Sequence, residues 1–128
     1  MKEQTEVRTL KEGRYAMIDD APCIIKSISH SKPGKHGSAK ARIEAVGIFD
    51  NQKRSLISPV TAKIYVPLVE RRNGQVLSIA NGVAQIMDLV DYSNFEMKIP
   101  DNLIDKIEEG KEVNYLKSMG MTKFDIRV

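Results

Sequence analysis

Cysteine is almost absent from this chain: its 128 residues include a single one, Cys23. A lone thiol excludes a disulfide framework and a thiolate metal cage, and it fits a reducing compartment, so a cytoplasmic location is expected. Long apolar runs are missing too. The opening segment, Met1-Lys-Glu-Gln-Thr-Glu-Val7, is polar and mixed in charge, and no stretch approaches a signal core or a membrane span. It is expected to fray, and no contact with a membrane is expected. Internal repeats and low-complexity tracts are lacking. No paired carboxylates or nucleophile–base constellation stands out, so nothing points to an enzyme acting on small molecules. Acidic residues are missing from one place in particular. Between positions 26 and 42, Lys26, Lys32, Lys35, Lys40 and Arg42 have none among them.

What is present divides unevenly. Residues 1–68 carry 12 Lys and Arg against 7 Asp and Glu, and residues 69–128 carry 8 against 10, so the net +3 hides a basic first half and a slightly acidic second. Only the first half is expected to attract polyanions. The length suits one average domain or two very small ones, and the pattern along the chain favours two.

In the first half, Tyr15–Ile18 and Cys23–Ile28 are short β-type runs separated by the turn residues Asp19-Asp20-Ala21-Pro22. From Ala39 to Phe49, Ala41, Ile43 and Ala45 alternate with Lys40, Arg42 and Glu44, the period of a half-buried strand with basic groups on its exposed face. Runs at Ser55–Ser58 and Lys63–Val66 follow, the latter stopped by Pro67. Five or six short strands without a helix suggest an SH3-like barrel over residues 1–69. In the second half, Asn73-Gly74 supplies a boundary turn signal. Gln75–Ile79 and Val83–Met87 are then joined by Asn81-Gly82, a strong hairpin signal. A third strand is expected over Tyr92–Ile99. Pro100-Asp101 opens a helical segment with Leu103, Ile104 and Ile107 on one face and Gly110 at its end. Strands near Val113–Lys117 and Met121–Arg127 close the series. Three strands, one short helix and two strands is the order of an OB-fold, expected over residues 70–128. The fold class is therefore all-β, two small barrels in tandem.

The segment Ser31-Lys-Pro-Gly-Lys-His-Gly-Ser38 lies between two strands and is too long for a two-residue turn. Pro33-Gly34 suits the centre of a type II turn, which would place Lys35 at the tip. Gly34 and Gly37 frame Lys35-His36 with residues lacking a Cβ, leaving room for another chain to approach. A soluble hairpin that happens to carry lysines is the plain alternative. A P-loop does not fit, because His36 follows Lys35 where Ser or Thr is needed and the flanks are strand and strand. Cys23, His30 and His36 have no metal-ligand spacing, and no metal is expected. An ordinary lysine amine, with a reference pKa of about 10.4, is protonated at neutral pH, and nothing apolar beside Lys35 would change that. Lys35 is thus suited to phosphate contact, or to modification by an enzyme that supplies its own base. Lys32, Lys35, His36, Lys40 and Arg42 are expected to face RNA.

The run Ser31-Lys-Pro-Gly-Lys-His-Gly-Ser-Ala-Lys40, continued by Ala41-Arg42, resembles the signature of the translation initiation factor 5A family in its archaeal form, related to bacterial elongation factor P. The whole chain fits that resemblance. It implies an N-terminal SH3-like barrel bearing the loop and a C-terminal OB-fold. It also implies that Lys35 receives an aminobutyl group from spermidine through deoxyhypusine synthase, and that many members then hydroxylate it to hypusine. Family members bind the ribosome beside peptidyl-tRNA and relieve stalling at proline runs, without being enzymes and with no bound cofactor. Pro33 and Ser38 stand where eukaryotic members usually have threonine and histidine, which suits an archaeal sequence and leaves the final hydroxylation, and with it deoxyhypusine as the end state, open. A second reading is a general single-stranded RNA-binding module using the OB-fold. It finds little support in an acidic half whose aromatics are Tyr92, Phe95, Tyr115 and Phe124, most of them expected in the core.

Overall fold

The computed structural model describes residues 2–31 and 39–126. It divides into two compact units, Met1–Leu68 and Val69–Val128. In the first, β1 (Lys2–Glu6) pairs antiparallel with β6 (Lys63–Pro67). The polar N-terminus is therefore a strand, not a frayed start. Strand pairing uses backbone groups that every residue carries. The pairing is anchored by Lys2, whose Nζ lies 4.4 Å from the centre of the Tyr65 ring, and by Val7, which is buried in the core. Val7 begins a 3-10 turn, Val7–Thr9, and its N–H donates to Ala62 O at 2.9 Å.

The other sheet of this unit runs β2-β3-β4-β5 and is antiparallel throughout, with β2 at Tyr15–Ile18, β3 at Ala21–Ser31, β4 at Lys40–Gly47 and β5 at Lys53–Pro59. The turn into β3 is tighter than the sequence suggests. Asp19 and Asp20 alone make it, with φ of 52° and 61°, the left-handed pair that matches strand twist. Ala21 and Pro22 already pair with Ile18 and Met17. Pro22 is tolerated because pairing with β4 starts only at Cys23↔Gly47, so its missing N–H breaks no ladder there. Inward residues Ala16, Ile18, Cys23, Ile25, Ala41, Ile43 and Ala45 form the core with Val7 and Ile64.

In the second unit the sheet order is β11-β10-β7-β8-β9, with β7 at Glu70–Ala80, β8 at Val83–Asp88, β9 at Asn94–Lys98, β10 at Glu112–Ser118 and β11 at Met121–Phe124. Asn81-Gly82 makes the expected hairpin, with φ of 53° and 76°. Asn73-Gly74 does not turn. Gly74 sits inside β7, opposite Asp88 on one side and Val113 on the other. A Cβ there would lie 2.6 Å from Ile86 Cγ2, so this glycine serves close packing and not a bend. The expected helix is also reduced. Asp101–Leu103 is a single 3-10 turn, and Lys106 N donates to Leu103 O, a three-residue step. The chain leaves helical geometry after this turn, and Leu103 and Ile107 are buried while Ile104 is half exposed. Gly110 still has φ 82°, as a helix-ending glycine would, but it closes a turn. The architecture is an SH3-like barrel followed by an OB-fold, nearly all β. Among the described residues no helix is long and apolar enough to cross a membrane.

Candidate nucleic-acid interface

Strands β3, β4 and β5 are in register, so their outward residues form rows across the sheet. Ser31, Lys40 and Pro59 make one row; Ser29, Arg42 and Ile57 the next; Ser27, Glu44 and Ser55 a third. All but Glu44 are exposed, and the alternating residues Ala41, Ile43 and Ala45 fill the core behind them. A bulge between Ile25 and Ser27 adds Lys26, also exposed, at the foot of the face. The face is thus serine hydroxyls and cations with two apolar side chains, Pro59 and Ile57, the latter 65% exposed. Hydroxyls and cations are the groups that contact phosphate and sugar.

Two acids temper the cations. Glu44 Oε1 accepts from Arg42 Nε at 3.0 Å, although both side chains stay largely exposed. An exposed pair contributes under about 1 kcal/mol, so a phosphate can displace the carboxylate. Arg54, one strand over, is committed to structure. Its Nη1 and Nη2 grip the Asp50 carboxylate at 3.1 and 2.8 Å, which together with the Gln52 N–H holds Asp50 down to about 2. That clamp shapes the β4–β5 turn, where a Cβ on Gly47 would come within 1.9 Å of Asp50 Oδ1.

Lys40 and Arg42 are therefore placed together on one face, Lys40 in the last rung, Ser31↔Lys40, and Arg42 in the next outward row. The other site residues, Lys32, Pro33, Gly34, Lys35, His36 and Gly37, lie outside the described residues. The described residues near their two ends, Ser31 and Lys40, are partners on neighbouring strands. Cys23 and His30 do not converge, the first fully buried and the second exposed. Burial pushes the Cys23 thiol up, against the pull of Arg54. Among the described residues, no three His, Cys, Asp or Glu groups converge to hold a metal.

A second polar cluster, in the OB-fold, was not singled out from the sequence. Asp88 is completely buried and accepts five hydrogen bonds: from Tyr115 Oη, from Arg72 Nε at 2.7 Å and Nη2 at 3.0 Å, and from the backbone of Val90 and Asp91 at 2.8 and 3.0 Å. Arg72 above all holds its carboxyl well below the usual carboxylate range, while burial and the bond to Asp88 push the Tyr115 phenol up to about 12. The signal was parity: Ala84, Ile86 and Asp88 alternate on one face of β8, as do Arg72, Gly74 and Val76 on β7. The cluster fixes the β8–β9 connection, so it shapes the barrel and presents no reactive group. Of the four aromatics in this half, Tyr115 and Phe124 are buried and Phe95 is partly buried against Tyr115, while Tyr92 is 69% exposed, which departs from the core role expected of most of them only at that one position. A single exposed ring is a poor stacking platform.

The first barrel matches the family model described as translation initiation factor 5A-like, N-terminal, over residues 3–62, and the second matches that of the eukaryotic elongation factor 5A hypusine, DNA-binding OB fold, over residues 68–124. The chain belongs to the translation initiation factor 5A family. Curated relatives named translation initiation factor 5A include one from Methanothrix thermoacetophila, 65% identical over 99% of this chain and 100% of its own. Another, from Archaeoglobus fulgidus, is 61% identical over 98% of each. Among solved structures, the eukaryotic translation initiation factor 5A from Methanococcus jannaschii superposes with a TM-score of 0.87 at 46% identity, covering 96% of this chain and 92% of that one. A family member from Naegleria fowleri gives 0.81 at 32% identity, covering 96% and 95%. This translation factor family thus extends over both barrels.

Proposed function

We propose that this translation factor acts on the ribosome beside peptidyl-tRNA, in the cytoplasm, and promotes peptide-bond formation at proline-rich stalls through Lys35. In this reading deoxyhypusine synthase transfers an aminobutyl group from spermidine to Lys35, with or without later hydroxylation. The modified side chain is a longer cation with a second amine, directed along the tRNA acceptor end. Its contribution is orientation: a stalled pair of substrates gains rate by being held in a reactive geometry, with no bond made to the factor. The factor is therefore not an enzyme.

The observation that carries this reading is the contiguous motif Ser31–Arg42 in a family member, attached to a sheet face of serines with Lys40 and Arg42 at its top. Lys32, Lys35, His36, Lys40 and Arg42 supply phosphate contacts, and Pro33, Gly34 and Gly37 frame the modified lysine. Intact mass and peptide mapping of the protein from its own cells should find the aminobutyl adduct on Lys35. An unmodified Lys35 in that material rejects the reading. Lys35→Arg keeps a cation but offers the modifying enzyme no amine, so it should abolish rescue of proline-rich messages in a reconstituted translation system. Full rescue by that variant would count equally against it.

A further inference from the structure

The first barrel contains a second cationic feature, built from β1, the 3-10 turn, β2 and β6 and from none of the strands that carry the serine face. It is a cleft of about 300 Å³ lined by Thr5, Thr9, the buried Leu10, Lys11, Arg14, Tyr15 and Val66. A volume of that size holds one small ligand.

Local structure assembles the cations. Arg14 N–H donates to Lys11 O at 3.1 Å and Gly13 between them has φ 81°, a turn that brings the Cα atoms of Lys11 and Arg14 within about 7 Å. The turn is tied down on β3, where Gly13 N donates to Ile25 O at 2.9 Å and Ile25 N to Arg14 O at 2.8 Å. Glu12, the acid inside the turn, does not line the cleft: its Oε1 lies 3.4 Å from the Ile28 N–H. Glu6 is engaged by Arg8 at 3.0 Å. Among the described residues no ion pair joins Lys11 or Arg14, and both are exposed. Two adjacent cations held on a fixed turn, with no acid to answer them, suit a phosphate.

The two threonines have the opposite character. Thr9 Oγ1 donates to Glu6 O at 2.8 Å, and it stands 2.8 Å from Thr5 Oγ1. With the Thr9 proton spent on the carbonyl, Thr5 must donate to Thr9. Both hydroxyl protons are then used, and the pair offers lone pairs, which accept from a sugar hydroxyl or a ring amino group and repel an anion. Tyr15, half-buried, adds an aromatic ring to a lining that also includes the apolar Leu10 and Val66, and a base can stack on such a ring. We propose that this cleft binds one phosphorylated nucleoside: phosphate on Lys11 and Arg14, sugar hydroxyls toward Thr5 and Thr9, base against Tyr15. The source is a free mononucleotide or one nucleotide of an RNA strand, which share this chemistry.

The test is a titration of the whole chain followed by amide NMR shifts, using adenosine monophosphate, adenosine, inorganic phosphate and a seven-residue oligoadenylate. Adenosine monophosphate or the oligoadenylate should shift the amides from Thr9 to Tyr15. Adenosine and phosphate alone should bind at least about tenfold more weakly than that ligand, each lacking one half of the contacts. Lys11→Ala with Arg14→Ala, both at exposed positions, should cost about tenfold. Tyr15→Leu, which keeps the apolar bulk, should cost a similar factor through lost stacking. Response to the oligoadenylate alone identifies an RNA strand as the source, and response to the mononucleotide identifies the free form. Phosphate binding as tightly as the nucleotide, shifts confined to β4, or unchanged affinity in the double variant would overturn the proposal. None of these readouts depends on Lys35.

Discussion

Five donors converge on the carboxylate of Asp88, and that single residue makes the sharpest energetic statement in the molecule. Asp88→Asn keeps the shape but removes the charge that Arg72 answers, so it should cost about 3 kcal/mol in urea denaturation of the OB-fold. The pH dependence follows from the same contacts. An unfolded aspartate takes its proton at about 3.9, whereas folded Asp88 stays ionised far below that. The unfolded chain therefore binds more protons in acid. The stabilisation is fully present above about pH 4 and is lost progressively as pH falls below it. Melting temperatures measured between pH 4 and 2.5 should drop more steeply for the native chain than for Asp88→Asn. Tyr115 works in the other direction: its folded pKa is raised to about 12, so its share is present below about pH 10 and fades as pH rises toward 12. Tyr115→Phe should flatten that alkaline loss.

At the scale of elements, turns and glycines decide where strands begin and end. Gly74→Ala would drive a Cβ to 2.6 Å from Ile86 Cγ2 in the middle of a three-strand ladder, and should destabilise the OB-fold by about 2 kcal/mol. Met119 is the reverse case. It occupies the left-handed first position of the β10–β11 turn, with φ 52°, where a side chain of its kind is strained. Met119→Asn should raise stability by about 1 kcal/mol, checked by thermal denaturation. Much of this level was legible beforehand. Strands β2, β4 and β8 and the Asn81-Gly82 hairpin followed from alternation and turn chemistry, which are local. The Asn73-Gly74 turn and the helix after Pro100 were misjudged because the same dipeptide or the same apolar spacing serves two geometries. Only Ile86 pressing on Gly74, and the shorter steps at Leu103 and Lys106, select between them. Strand β1 carries no apolar alternation, so nothing short of its partner β6 could reveal it.

For the whole molecule, the uneven charge makes the proposed RNA contact of the first half testable. If Lys32, Lys35, Lys40 and Arg42 engage about four phosphates of a single strand, log affinity should fall with log salt at a slope of about −3. Charge-removing changes at Lys40 and Arg42 should each reduce that slope by about 0.7. The proposed site is a contiguous line of text, Lys35 and its frame being neighbours in sequence, and of its residues only Lys40 and Arg42 are among those the structure describes. Sequence alone also determined the two-barrel order and the basic character of the first half, because a period of two, turn dipeptides and composition are properties of neighbours along the chain. The tertiary structure decided which strands share a rung and which residues meet: Ser29, Arg42 and Ile57 in one row, Arg72 and Tyr115 upon Asp88, Val66 lining one cleft with Lys11 and Arg14. Those meetings join residues far apart in sequence, and closing the barrels is what brings them into contact.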